Sequence, residues 1–274
     1  EAVTGSVVSM RGDALREVPA GNVSSALAGR MPGVQLSQTS SKPGADMQIR
    51  IRGTRSFSAD NNPLIVLDGI PFAGTIGDIN PNDIKTLDIL KDASATAIYG
   101  SRGANGVIII TTDKGGVGQK AKVTYNAYMG AKTLYHRYPM MTGDQLYQLR
   151  HDAGIYKENL EGGGSIPTMG ADEKEGVNTD WQDLMFETAM VMSHDIGETG
   201  NYNVGVGYFT DNSLLPGQNY KRINLRASID QNVGKYIRVG LSSNSNYNVT
   251  NGQNLGMYNT LAVSPLINPW NEDG

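Results

Sequence analysis

The chain has 274 residues, 39% of them apolar, with a net charge of −4 and no cysteine. That length allows one or two domains with a buried core, and the charge gives no electrostatic case for nucleic acid. The absent cysteines exclude a disulfide scaffold and thiolate catalysis.

Taken in order, Thr4 to Met10 reads as a short strand, and Asn22 to Met31 as a helix capped by Asn22 and stopped by Pro32-Gly33. Val34 and Leu36 open a second strand. Met47, Ile49 and Ile51 then alternate with Gln48, Arg50 and Arg52, a strand with one apolar face. RSFSADNN, from Arg55 to Asn62, is a polar loop, Leu64 to Leu67 a buried strand, and Asp68-Gly69 a turn. Asn80-Pro81 has the form of a helix N-cap followed by proline.

The stretch from Ile84 to Thr112, IKTLDILKDASATAIYGSRGANGVIIITT, carries the most information. Leu87, Ile89 and Lys91 alternate with Thr86, Asp88 and Leu90, as in a half-buried strand. A short helix capped by Asp92 and ended by Gly100 follows, and then Val107 to Ile110, suited to a strand buried on both faces. The glycines at 100, 103 and 106 follow the helix instead of preceding it, so they do not form a dinucleotide phosphate cradle.

GGVGQK, from Gly115 to Lys120, is a linker by composition, and the pattern changes beyond it. Four segments alternate apolar and polar residues: Val123 to Ala131, Tyr202 to Tyr208, Arg222 to Asp230, and Ile237 to Asn248. Short and long connections alternate between them, as periplasmic turns and extracellular loops do in a membrane barrel. Alternation alone leaves a soluble sandwich open. The long segment between the first and second of these strands is expected to have structure of its own, with a helix over Asp144 to Ile155 and a return anchored by Trp181, Leu184 and Met185. No apolar run approaches the roughly 18 residues of a membrane-spanning helix. The start at Glu1 and the ending NPWNEDG suggest a piece of a longer, processed chain.

LKDASATAIYGSRGANGVIIITT, together with IRIRGT at Ile49 to Thr54 and PLIVLDGIP at Pro63 to Pro71, resembles the plug domain of TonB-dependent outer-membrane transporters, in particular their SusC/RagA branch. The resemblance implies an α+β plug domain over residues 1–114, a linker at 115–120, and antiparallel transmembrane β-barrel strands over 121–274. It further implies import of oligosaccharide or peptide across the Gram-negative outer membrane, with a SusD-like surface lipoprotein as partner. TonB would act through a box upstream of Glu1.

By the same resemblance, plug loops would meet substrate through Arg55, Phe57, Asn61, Asn62, Phe72 and Thr75. Arg52 and Lys91 would pair with acids of the barrel wall beyond Gly274. His136, His151 and His194 lack zinc-ligand spacing, and no catalytic constellation stands out, so no enzyme activity, metal or cofactor is expected. The competing reading is a soluble carbohydrate-binding or adhesin β-domain joined to a small α/β domain.

Overall fold

The structure, a computed structural model, describes residues 7–17, 22–38, 40, 42–45, 47–51, 53, 61–92, 96–116, 118–153, 172–234, 236–252 and 256–270. Arg52, Arg55 and Phe57 lie outside them. The chain forms two compact units, one of residues 1–131, 190–213 and 218–251, the other of 132–189, 214–217 and 252–274.

The first unit begins with strand β1 (Val7–Arg11) and helices α1 (Gly12–Arg16) and α2 (Val23–Leu27). The hairpin β2 (Val34–Gln38) and β3 (Met47–Ile51) follows, then β4 (Leu64–Leu67) and β5 (Ile70–Pro71). Two 3₁₀ turns, Ile76–Asp78 and Pro81–Asp83, lead into β6 (Ile84–Leu90), and a 3₁₀ segment, Ala97–Gly103, precedes β7 (Val107–Thr112). The sheet order is β1-β6-β7-β4-β5, with β4 and β7 parallel and the other pairs antiparallel.

Its core is aliphatic: Leu15, Val23, Leu27, Ile84, Leu87, Ile89, Ile108 and Ile110 are nearly inaccessible. Each such side chain contributes about 1.5–3 kcal/mol over leaving it in water. The apolar periods read from the sequence are thus core-facing, but the helix expected over Asn22 to Met31 stops at Leu27. Asn22 caps it through Ser25 N at 2.8 Å, and Gly29 turns the chain away at φ 71°. Asp68, at φ 51°, and Gly69, at φ 90°, make the β4–β5 turn. Asp68 tolerates that backbone because its carboxylate accepts bonds from Thr112 N at 3.0 Å and Thr112 Oγ1 at 2.7 Å.

The remainder of this unit is a second antiparallel sheet of β8 (Lys122–Lys132), β9 (Ala189–Thr199), β10 (Tyr202–Asn212), β11 (Asn219–Val233) and β12 (Ile237–Asn251), in sequential order. Five strands stand where alternation gave four. The extra one is β9, AMVMSHDIGET, which carries polar and apolar residues on both faces and so hides its period. The burial of this sheet is inverted. Val204, Val206, Ile223, Leu225, Ile229 and Leu241 are exposed, whereas Asn203, Arg222, Asn224, Arg226 and Ser228 are buried. A water-soluble sandwich buries its apolar face; a wall in lipid exposes it.

The second unit holds α3 (Gly143–Asp152), α4 (Trp181–Met185) and α5 (Met257–Leu261). Thr142 and Gln145 form a capping box at α3, and Asp180 caps α4 through Gln182 N and Asp183 N. Arg137 reaches Asp180 at 3.1 Å and Asp183 at 2.7 Å, and Trp181 Nε1 donates to Ser264 O at 3.0 Å. The described residues of the long connection therefore have structure of their own. Helix α3, over Gly143–Asp152, stands where a helix was expected over Asp144 to Ile155, whose last residues lie outside the described ones. Met185 is buried, whereas Leu184 is exposed.

Candidate functional site

The two 3₁₀ turns between β5 and β6 lie against the buried polar face of the wall. Thr75 and Asp78 close the first turn as a capping box: Thr75 N and Oγ1 both donate to Asp78 Oδ2, at 2.8 and 2.9 Å. That leaves Asp78 Oδ1 to accept from Asn248 Nδ2 at 2.9 Å, while Asp78 O accepts from Asn246 Nδ2 at 2.5 Å. Arg222 Nη1 donates to Gly77 O at 2.7 Å, and its guanidinium sits 5.3 Å over the ring of Phe209. An Arg held between a carbonyl and an aromatic face is well placed for a site shut from water.

The second turn goes deeper. Asn80 Oδ1 accepts from Asn82 N at 3.1 Å, the cap that its sequence suggested, and its Nδ2 donates to Asp195 Oδ2 at 2.6 Å. Asp83, 8% exposed, pairs with Arg226, 7% exposed. Burial pushes the Asp83 carboxyl up to about 6, against the pull of Arg226, so at neutral pH it is ionised and paired. Room for this approach comes from β10. A Cβ at Gly207 would lie 2.8 Å from both Asn80 Nδ2 and Asp195 Oδ2, and one at Gly205 would lie 3.1 Å from Arg226 Nη2.

The exit from β7 is tied to the same wall. Asn203 Nδ2 donates to Asp113 O at 2.6 Å, Gly116 N to Gly200 O at 2.9 Å, and Gly118 N to Asn201 Oδ1 at 3.0 Å. Gly116 and Gly118 thus lie along the β9–β10 turn.

Of the residues expected to meet substrate, Asn62, Phe72 and Thr75 line one cavity of about 440 Å³ with Met47, Ile49 and Leu64. Among the described residues no charged side chain lines it. Asn61 is half-buried next to it in the chain. Phe72 also packs against the aliphatic core, and its ring lies over Gly74, where a Cβ would come within 2.7 Å of it. Lys91 is buried, with Nζ donating to Pro32 O beyond α2.

The residues that join the two sheets, Asn80, Asp83, Asp195, Arg222, Arg226, Asn246 and Asn248, were not among the sequence candidates. The signal was present: Arg222 and Arg226 fall on the polar face of a strand whose other face is apolar. If that other face meets lipid, two arginines opposite it need partners.

The model of the family described as TonB-dependent Receptor Plug Domain matches residues 1–107. TonB-dependent receptor SusC of Bacteroides thetaiotaomicron is 37% identical over 265 residues, which cover 92% of this chain and 25% of that protein. A TonB-dependent receptor of Formosa agariphila is 34% identical, with 99% of this chain and 28% of the relative covered. The chain spans about a quarter of the length of these curated relatives. Among solved structures, the RagAB peptide importer in its closed-closed state matches with TM-score 0.85 and 27% identity, covering 100% of this chain and 35% of that one. Its open-open state matches with TM-score 0.83 and 28% identity, covering 99% and 34%.

Proposed function

The chain belongs to the TonB-dependent outer-membrane receptors of the SusC/RagA type, and from that premise we propose that it supplies the plug and the first wall strands of an importer of oligosaccharides or peptides. Residues 1–114 are the plug, 115–120 the linker, and 121–274 the beginning of the barrel. The observation that carries the reading is the inverted wall. Its apolar face is exposed where lipid would lie, and its polar face is buried against the plug by charge-assisted bonds to the Asp83 and Gly77 turns.

A surface lipoprotein of the SusD kind closes the mouth of this importer, and TonB drives it by pulling on a segment upstream of the plug. Substrate meets the plug at the cavity of Asn62, Phe72 and Thr75, whose described lining carries no charge, with Asn61 beside it in the chain and Arg55 and Phe57 as further contacts from the preceding sequence. The described lining, neutral and partly apolar, suits a sugar ring or an uncharged side chain.

The test is uptake by cells carrying the full-length receptor, using labelled oligosaccharides and oligopeptides, with and without TonB. TonB-dependent uptake of one class, reduced by Asn62→Asp, is the expected result. Recovery of the full-length protein in the soluble fraction, or uptake that ignores TonB, would refute the reading. Copurification with a lipoprotein from the same membrane tests the partner.

A further inference from the structure

The Asp83 carboxylate is aimed by the backbone around it, and that backbone is held by α1 on either side of Asp83 and by the chain just past β7 at Asp83 itself. Three consecutive carbonyls are engaged. Arg16 Nη1 donates to Asn82 O at 3.2 Å and to Ile84 O at 3.4 Å, and Asp113 N donates to Asp83 O at 3.0 Å. The planar peptide units on both sides of Asp83 are thereby held, and with them the direction of its Cα–Cβ bond, from which the carboxylate reaches Arg226. Gly12, at the other end of α1, is seated on the same place, for a Cβ there would come 1.8 Å from Ile84 O.

Helix α1 continues β1 without a break, and β1 is an edge strand of the plug sheet, paired with β6. Stripping β1 from its Val7 end therefore reaches Gly12 and Arg16 directly. Arg16 is suited to the brace because one planar guanidinium serves both carbonyls and still reaches Asp13 Oδ1 at 2.5 Å.

We infer that Arg16 is a positioning residue for the plug. While α1 is seated, Asp83 is held toward Arg226 and the plug stays on the wall. When α1 is drawn away, the turn relaxes, the ion pair loses its geometry and the plug loosens. This rests on the transporter reading above. It makes the N-terminal strand and helix the part of the plug whose removal releases the contact with these wall strands, through bonds to Asn82 and Ile84 and not through a contact of α1 with substrate.

The experiment uses the full-length receptor in planar lipid bilayers, with conductance followed as urea is raised. The variants are Arg16→Ala, Arg16→Lys, Asp83→Ala, the Arg16→Ala/Asp83→Ala double, and a receptor lacking residues 1–114. Arg16→Ala is expected to raise conductance at fixed urea on the order of tenfold, the effect of losing one or two hydrogen bonds. Arg16→Lys should fall between it and the parent. The double variant should leak no more than Asp83→Ala, since both act on one contact. Faster hydrogen exchange across residues 78–85 in Arg16→Ala is the second readout, measured on assembled protein.

An Arg16→Ala receptor as tight as the parent, or additive leakage in the double, would overturn the inference. If Arg16→Ala fails to assemble, Arg16→Lys, alone and combined with Asp83→Ala, decides by the same two comparisons. A plug-deleted receptor that conducts no current sinks the transporter reading itself. One that conducts, beside a tight Arg16→Ala, sinks this inference alone.

Discussion

Asp83 of the plug and Arg226 of the wall, 143 residues apart in the chain, meet as a buried ion pair. The two partners are not equivalent when one is removed. Asp83 left alone can take a proton, because burial has already brought its carboxyl up to about 6. Arg226 left alone keeps its charge. Arg226→Ala should therefore weaken plug retention by about 1–3 kcal/mol, and Asp83→Ala by about 3–5 kcal/mol. Urea midpoints of plug release in the full-length receptor check the order, and a larger loss in Arg226→Ala would contradict it.

Gly207 sets how closely the plug approaches β10. Its φ is not left-handed, so space and not backbone freedom requires glycine here. Gly207→Val should keep the strand, since valine suits a sheet, while pushing Asn80 away from Asp195 at a cost of about 1–3 kcal/mol. Normal amounts of heat-modifiable barrel together with a lowered urea midpoint for the plug is the expected pair of results. Loss of the barrel as well would place the damage in the strand instead.

The plug elements were legible because a soluble α/β core announces itself. Val107 to Ile110 is apolar throughout and lies at the sheet centre, and Asn80-Pro81 caps a turn as its chemistry required. The wall strands were legible where one face is uniformly apolar, as in β11, and not in β9, where His194 and Glu198 fall among the outward residues and Val191 and Met192 adjoin in sequence. The cluster at Asp83 was not legible. Its members are scattered from Gly77 to Asn248, and only the closing of two sheets against each other brings them within bonding distance. Short motifs could suggest a charge in need of a partner, but the partner's identity is tertiary information.

Asp83 should also leave a mark on pH dependence. Its docked value of about 6 lies above the ordinary 3.8, so the docked plug binds the proton more tightly than the released one. The resulting contribution is fully present below 3.8 and is lost as pH rises through 6. Over that interval it amounts to at most about 3 kcal/mol. Plug release at pH 5 should accordingly need more urea than at pH 8, and Asp83→Asn should flatten the difference. An unchanged slope in that variant would assign the effect to other carboxylates.

The exposed face of β11 gives the last test, because neighbouring positions there point to opposite environments. Leu225 is 54% exposed and Arg226 is 7% exposed, an order that a water-soluble protein would reverse. If the outer face meets hydrocarbon, Leu225→Arg places a guanidinium in lipid, at a cost of about 2–4 kcal/mol near the bilayer midplane and less toward either interface. Leu225→Ala, which only trims contact with lipid, should cost far less. Folding yields of the full-length receptor into lipid vesicles, compared with folding into detergent micelles that let water reach the side chain, separate the two substitutions. Leu225→Arg should fail selectively in vesicles. Equal yields for both variants in vesicles would mean that this face meets water or another part of the protein, and the inverted burial would then need a different cause.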